Sequence, residues 1–262
     1  MLETSIKRYP DIDVQVSAIL NDTTGCLIAC AYKRPDCAIG VIIGTGTNAS
    51  YVEDLRNVEL YQGQRGAKKD VVINTEWGAL GNTGSLDFIR TKYDHKVDQN
   101  SKNCGKQVYE KLIRLESMKY TKVESSIIFL FFLSGMYLGE LTRHILVDAT
   151  QKKLLFNGSD EARDILSTKE VFQTRFISEI ESDDRGDYSS CWEVLNELNL
   201  SSFATHFDCV LLKYICQSVA IRASVLAAAG VAGLLNKMAR RSVTVGMDGS
   251  LYKFHPHFQV DF

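Results

Sequence analysis

The chain has 262 residues, 45% of them hydrophobic, enough to bury a core in one large domain or two small ones, so the fold class has to come from pattern and not from size. Lys and Arg (30) nearly balance Asp and Glu (32), and the formal charge is -2. With the two signs interspersed there is no basic stripe to follow a phosphate backbone, which argues against nucleic acid as a partner.

Residues 1–7 hold no apolar signal region. Residues 14–20, 26–33, 38–44 and 49–54 read as four strands, rich in Val and Ile and separated by turn chemistry at 22–25 and 34–36. Their short connections imply antiparallel neighbours. Residues 71–74 add a fifth strand, and after the Gly-rich stretch 78–84, Ser85 is placed to cap a helix starting at Leu86. From Gly105 onward the pattern turns helical, with apolar residues at Met136, Leu138, Leu141, Ile145 and Leu146. The membrane-like run 127–133 is about a third of the roughly 20 residues that a spanning helix needs, so no transmembrane segment is expected. Over 205–238 a long helix opens on Thr205 and Asp208 at capping-box spacing, and its Ala and Val content over 219–235 predicts burial on most faces. A last strand, 242–247, delivers the turn Asp248-Gly249-Ser250. Strands, then helices, then a strand ending in a Gly turn suit an α/β fold, a mixed sheet flanked by helices. The seven cysteines form no C-x-x-C pair and read as free thiols of a cytoplasmic protein, with no metal site expected.

Four constellations carry chemistry. Asn21-Asp22 closes the apolar run 16–20: a carboxylate there, beside an amide able to bond a hydroxyl, suits a general base taking a proton from an alcohol. The same residues are also ordinary turn chemistry. In Gly44-Thr45-Gly46-Thr47-Asn48, glycines let backbone N–H groups approach phosphate oxygens and threonines add donors. That stretch equally suits a hairpin, and it is neither a Walker loop nor a dinucleotide fingerprint. Glu76, in Glu76-Trp77-Gly78-Ala79, and Glu110 are acceptors of the kind that hold a polyhydroxylated sugar, although an isolated Glu is more often a solvated surface residue. Residues 244–253 present a Gly turn to the ribose or phosphate of a nucleotide, or form a plain β-turn.

Singly these signals are weak, but their order and spacing resemble the hexokinase family. The matching stretches are 16–25 (VSAILNDTTG), 39–49 (IGVIIGTGTNA), 73–85 (INTEWGALGNTGS), 105–113, 134–147 (SGMYLGELTRHILV) and 243–258 (VTVGMDGSLYKFHPHF), with weaker similarity between them. The resemblance implies the large lobe of an actin-like (ribonuclease H-like) ATPase fold and ATP-dependent phosphorylation of a hexose such as glucose at its 6-hydroxyl. It implies Asp22 as catalytic base and Asn21, Asp22, Asn48, Glu76 and Glu110 as sugar ligands. Thr45, Gly135, Met136, Thr174, Ser178, Asp248, Gly249 and Ser250 fall on its nucleotide-binding segments, with Mg²⁺ bound through the ATP.

Against the family pattern, the chain is expected to be a large lobe cut short at both ends, without the preceding small lobe or the strand, Gly-rich turn and helix that follow the His-Pro-His-Phe motif. Cutting out 114–133 joins Ile113 to Ser134 in the uninterrupted family pattern, so that stretch reads as an insertion foreign to the fold, and its apolar run 125–133 as an aggregation hazard. Negligible turnover by the 262 residues alone is the resulting expectation. The alternatives are a sugar- or nucleotide-binding module without turnover and, more remotely, a structural actin-like protein.

Overall fold

The computed structural model describes residues 15–44, 46–63, 66–113, 137–240 and 242–262. Thr45, Gly135, Met136 and the expected insertion 114–133 lie outside the described residues.

Three of the β-branched runs form strands β1 (Cys37–Ile43), β2 (Thr47–Asp54) and β3 (Asp70–Asn74). The short link after β1 leaves no length for a crossover, so β1 and β2 pair antiparallel with Val41 opposite Ala49. Strand β2 pairs antiparallel with β3, Ser50 opposite Asn74. Strand β4 (Thr244–Asp248) comes from the far end of the chain and pairs parallel with β1, Ile42 opposite Asp248. The sheet is therefore mixed, in the order β3-β2-β1-β4.

Both faces of β1 are covered. Ile39, Val41 and Ile43 are fully buried in the main core. The opposite face receives helix α1 (Asp22–Lys33). Here the structure corrects the sequence expectation, because residues 26–33 are helical and the described part of 14–20 has no regular structure. Thr23, Cys26, Leu27 and Cys30 recur at helical spacing, and the sheet beneath them is bare: a Cβ on Gly40 would stand 2.4 Å from Thr23 O, and one on Gly246 2.7 Å from Cys30 Cβ. A helix backbone can lie that close only where the strands carry glycine. The supposed turn at 22–25 is the first turn of α1, with Asn21 as its N-cap.

The core's other side is built by α2 (Lys92–Gln99), α3 (Val108–Ile113), α4 (Tyr137–Gln151), α5 (Asp160–Ser167), α6 (Arg175–Glu181), α7 (Ser189–Glu197) and α8 (His206–Met238), followed after β4 by α9 (Ser250–Phe254) and α10 (Phe258–Asp261). Ser85 caps nothing: a single 3₁₀ turn, Asp87–Ile89, follows it without a side-chain cap. The Thr205–Asp208 capping box is present, with Asp208 Oδ2 accepting from Thr205 N at 2.7 Å and Asp208 N donating to Thr205 Oγ1 at 3.4 Å.

Contrary to the expectation that only 127–133 has membrane character, α8 is long and apolar enough to cross a membrane by length and composition. In this fold it is a spine, with α3, α4, α6, α7 and α10 packed against it, and Cys209, Leu212, Cys216, Ala220, Ala223 and Ala227 buried along one stripe. All seven cysteines are free.

Candidate functional site

Asn21 ends the irregular lead-in to α1, and its Oδ1 accepts from Thr23 N at 3.0 Å and from the Thr23 hydroxyl at 2.5 Å. Asp22 is exposed on the first turn, where a carboxylate also suits the helix dipole, and its Oδ1 accepts from Thr23 N at 2.8 Å. What places the pair is the next residue. Buried Thr23 shares a hydrogen bond with Ser50 Oγ at 2.6 Å, and Thr24 reaches the same oxygen at 3.1 Å, so the start of α1 is pinned to the middle of β2.

Two residues before Ser50, on the same face of β2, stands Asn48. Its Nδ2 donates to Asn74 Oδ1 at 2.7 Å and to Glu76 Oε1 at 3.1 Å, while Asn74 Nδ2 donates to the same Glu76 oxygen at 2.6 Å. Glu76 is exposed and sits in a left-handed backbone, φ 48°. Glu110, on the first turn of α3, arrives from the other side: a Cβ on Gly46 would lie 3.6 Å from its Oε1, and one on Gly78 3.1 Å from its Oε2. Trp77 holds this corner, its Nε1 donating to Thr47 Oγ1 at 3.1 Å and its ring meeting Tyr109 edge-on at 5.6 Å. Burial pushes the Tyr109 hydroxyl up to about 12, and it donates to Leu226 O on α8 at 2.5 Å. Three of the expected sugar ligands, Asn48 on β2, Glu76 after β3 and Glu110 on α3, thus gather as polar groups rich in acceptors, and β2 also seats Asn21 and Asp22 through Ser50.

Sequence reasoning missed Asn74, Thr23 and Ser50. Asn74 carried a signal, standing two residues before Glu76 in one matching stretch. Ser50 carried none, since its role depends on a hydrogen bond across 27 residues.

The second cluster lies where the parallel strands β1 and β4 end together, the crevice at which α/β sheets take ligands. Gly249 has φ 116° and packs on the end of β1, where a Cβ would stand 2.2 Å from Ile43 O. Ser250 N would meet a Cβ on Gly44 at 3.3 Å, so the Asp248-Gly249-Ser250 turn lies directly against Gly44. Asp248 is held below the usual carboxylate range by its hydrogen bond from Lys253 and then by the Gly249 N–H, the latter at 2.6 Å.

Thr174 and Ser178 stand apart from that turn, at the start and middle of α6. Buried Thr174 accepts from Gly139 N at 3.1 Å, which ties α6 to the first turn of α4. Among the described residues, no group of three His, Cys, Asp or Glu side chains gathers to hold a metal ion.

Residues 38–114 and 122–262 match the family model described as Hexokinase. Human hexokinase-1 is 43% identical over 264 residues, and horse hexokinase-2 is 41% identical over the same length. Each comparison covers 98% of this chain and 26% of the relative, so the chain spans about a quarter of the length of these proteins. A hexokinase from Schistosoma mansoni, solved in complex with glucose, superposes with a TM-score of 0.81 at 38% identity, over 99% of this chain and 53% of that one. A second hexokinase crystal structure, 24% identical, shares the fold with a TM-score of 0.74. Matched along nearly its whole length in sequence and in fold, the chain belongs to the hexokinase family and has that family's actin-like ATPase fold.

Proposed function

We propose that this chain forms the sugar- and nucleotide-holding lobe of an ATP-dependent hexose kinase, which transfers the γ-phosphoryl group of Mg-ATP to the 6-hydroxyl of a hexose such as glucose. The observation that carries the reading is the cluster of Asn48, Asn74, Glu76 and Glu110 beside the seat of Asn21 and Asp22. Carboxylate and amide oxygens each accept from sugar hydroxyls, and several converging from different elements fix one orientation of a polyol. Asp22, exposed at the edge of that cluster, serves as the base that removes the hydroxyl proton.

The nucleotide is assigned to Gly44, Thr45 and the 248–250 turn, with Thr174, Ser178, Gly135 and Met136 as further contacts. Phosphoryl transfer depends chiefly on alignment and on stabilisation of the transferring charge, and magnesium arrives on the phosphates without a side chain assigned to it.

Glucose titration followed by calorimetry tests the sugar half. Asn48→Ala is expected to weaken glucose binding by at least about tenfold, since it removes the amide that organises Asn74 and Glu76 and leaves their oxygens misdirected. Unaltered glucose affinity in that variant would sink the assignment. Glucose binding without any phosphoryl transfer from Mg-ATP, in a chain completed with a family small lobe and C-terminal segment, would favour a binding module in place of a kinase.

A further inference from the structure

Helix α6 carries Ser178 in its middle and ends at Glu181; α9 begins at Ser250 and is C-capped by His255. The far ends of these two short helices meet in the interior. Glu181 and His255 are among the most deeply buried polar side chains described, 1% and 0% exposed, and Glu181 Oε1 faces His255 Nε2 at 3.6 Å. At that distance the two face each other beyond hydrogen-bond reach, and neither atom has a hydrogen-bond partner among the described residues.

The imidazole's proton can be placed by elimination. Backbone N–H of His257 donates to His255 Nδ1 at 3.3 Å, so Nδ1 is the acceptor and the ring hydrogen sits on Nε2, pointing at Glu181. His257 adds a second grip, its Nε2 lying 3.1 Å from Glu181 O; a carbonyl can only accept, so that nitrogen donates and satisfies an end carbonyl of α6. The surroundings hold the pair in place. Phe258 packs edge-on against the His255 ring at 6.2 Å, and the thiol of Cys216 on α8, fully buried, is pushed well above its ordinary value by burial and then by Glu181.

We infer that Glu181 and His255 are positioning residues, a buried clasp that sets the helix bearing Thr174 and Ser178 against the helix bearing Ser250 and thereby governs affinity for the nucleotide. The inference rests on the nucleotide assignment made above. Ser178 and Glu181 are three residues apart on one helix face, and His255 follows Ser250 by five, so a shift at the clasp moves both candidate contact residues. An orphaned buried carboxyl is costly, which means that losing the imidazole forces rearrangement where the two helices meet.

The test uses the full chain, Mg-ATP and glucose titrated separately, and the variants His255→Leu and His255→Gln. Leucine removes the imidazole that faces Glu181, and about tenfold weaker Mg-ATP binding is expected, the size associated with leaving a buried polar group without its partner. Glucose affinity should be unchanged. Glutamine restores an N–H near the Nε2 position and should bring Mg-ATP affinity back to within about threefold of the unmodified chain. Amide hydrogen exchange should rise together in α6 and α9 of the leucine variant, a readout that needs no nucleotide.

Unchanged exchange in both helices, or equal loss of glucose and Mg-ATP affinity, overturns the clasp. So does an Nδ1–H tautomer of His255 in nitrogen-15 NMR of the unmodified chain, a measurement that decides the matter even where the leucine variant does not fold. An unmodified chain that binds glucose but not Mg-ATP overturns the nucleotide assignment instead and removes the positioning role with it, whatever the exchange shows.

Discussion

Asp22 has two properties that pull apart under mutation, since it opens a helix and offers an exposed carboxylate. Asparagine keeps its size and remains a good residue at a helix start, but it cannot take a proton. In a chain completed with a family small lobe and C-terminal segment and freed of 114–133, where activity should return, Asp22→Asn is expected to lower kcat for hexose phosphorylation by about 10²- to 10⁴-fold while KM for the hexose changes little. Full turnover by that variant would remove Asp22 from the base role. Gly249 gives a stability test at the same scale. Its φ of 116° is closed to other residues, and a methyl group there collides with Ile43 O, so Gly249→Ala should destabilise the fold by roughly 2 kcal/mol in urea unfolding and weaken nucleotide binding as the turn leaves Gly44. A silent alanine would mean that the turn relaxes freely and is not part of a built site. Asp22, Asn48, Glu76 and Glu110 were singled out as a set through the family resemblance. Their hydrogen-bond partners could not be, because Ser50 and Asn74 become relevant only once β2 is in register with α1 and β3.

At the scale of elements, Glu110 is placed by the residue next to it. Lys111 Nζ donates to Asp98 Oδ1 at 2.6 Å, to Ser101 Oγ at 2.9 Å and to Asn103 O at 3.0 Å, while Arg90 donates to Asp98 Oδ2 at 2.9 Å, locking α3 to α2 from within. Burial would raise the Asp98 carboxyl, but hydrogen bonds from Lys111, the Gly105 N–H and Arg90 outweigh it and hold the group below the usual range. A depressed folded-state value contributes stability that is fully present above the unfolded value, near pH 4, and is lost as pH falls through the depressed one. The stability gap between the unmodified chain and Asp98→Asn should therefore be constant from about pH 5 to 8 and shrink below about pH 4 in urea melts. A gap that instead widened on acidification would contradict the clamp. Asp98→Ala leaves Lys111 buried without its carboxylate and should cost about 3 kcal/mol. Strands β1 to β4 and helix α8 were legible because each run is long and punctuated. Helix α1 was not, since its Cys, Leu and Ile content suits either structure and the glycines that decide between them lie on other elements.

For the whole molecule, the proposed insertion 114–133 falls between Ile113, the last residue of α3, and Tyr137, the first of α4; the family match pauses only between 114 and 122 and takes in 122–133, so deletion has to decide whether the whole stretch is foreign to the fold. Deleting 114–133 is expected to raise the soluble fraction and keep unfolding cooperative, because it removes the apolar run 125–133 and rejoins the family pattern. Loss of cooperative unfolding in the deletion would make the segment part of the fold. What the sequence determined by itself is local or additive: the β-branched runs, the Thr205–Asp208 cap, the Gly turns, the near-balanced charge and the residue types of the site. Each follows from propensity, capping or composition within a few residues. Only the tertiary structure decided that residues 22–33 are a helix lying on bare glycines, that Asn48, Asn74, Glu76 and Glu110 share one corner, that the 248–250 turn touches Gly44 across some 200 residues, and that Glu181 meets His255 in the interior. These depend on strand register and on which faces pack, and packing is a property of the assembled core that no window of the chain contains.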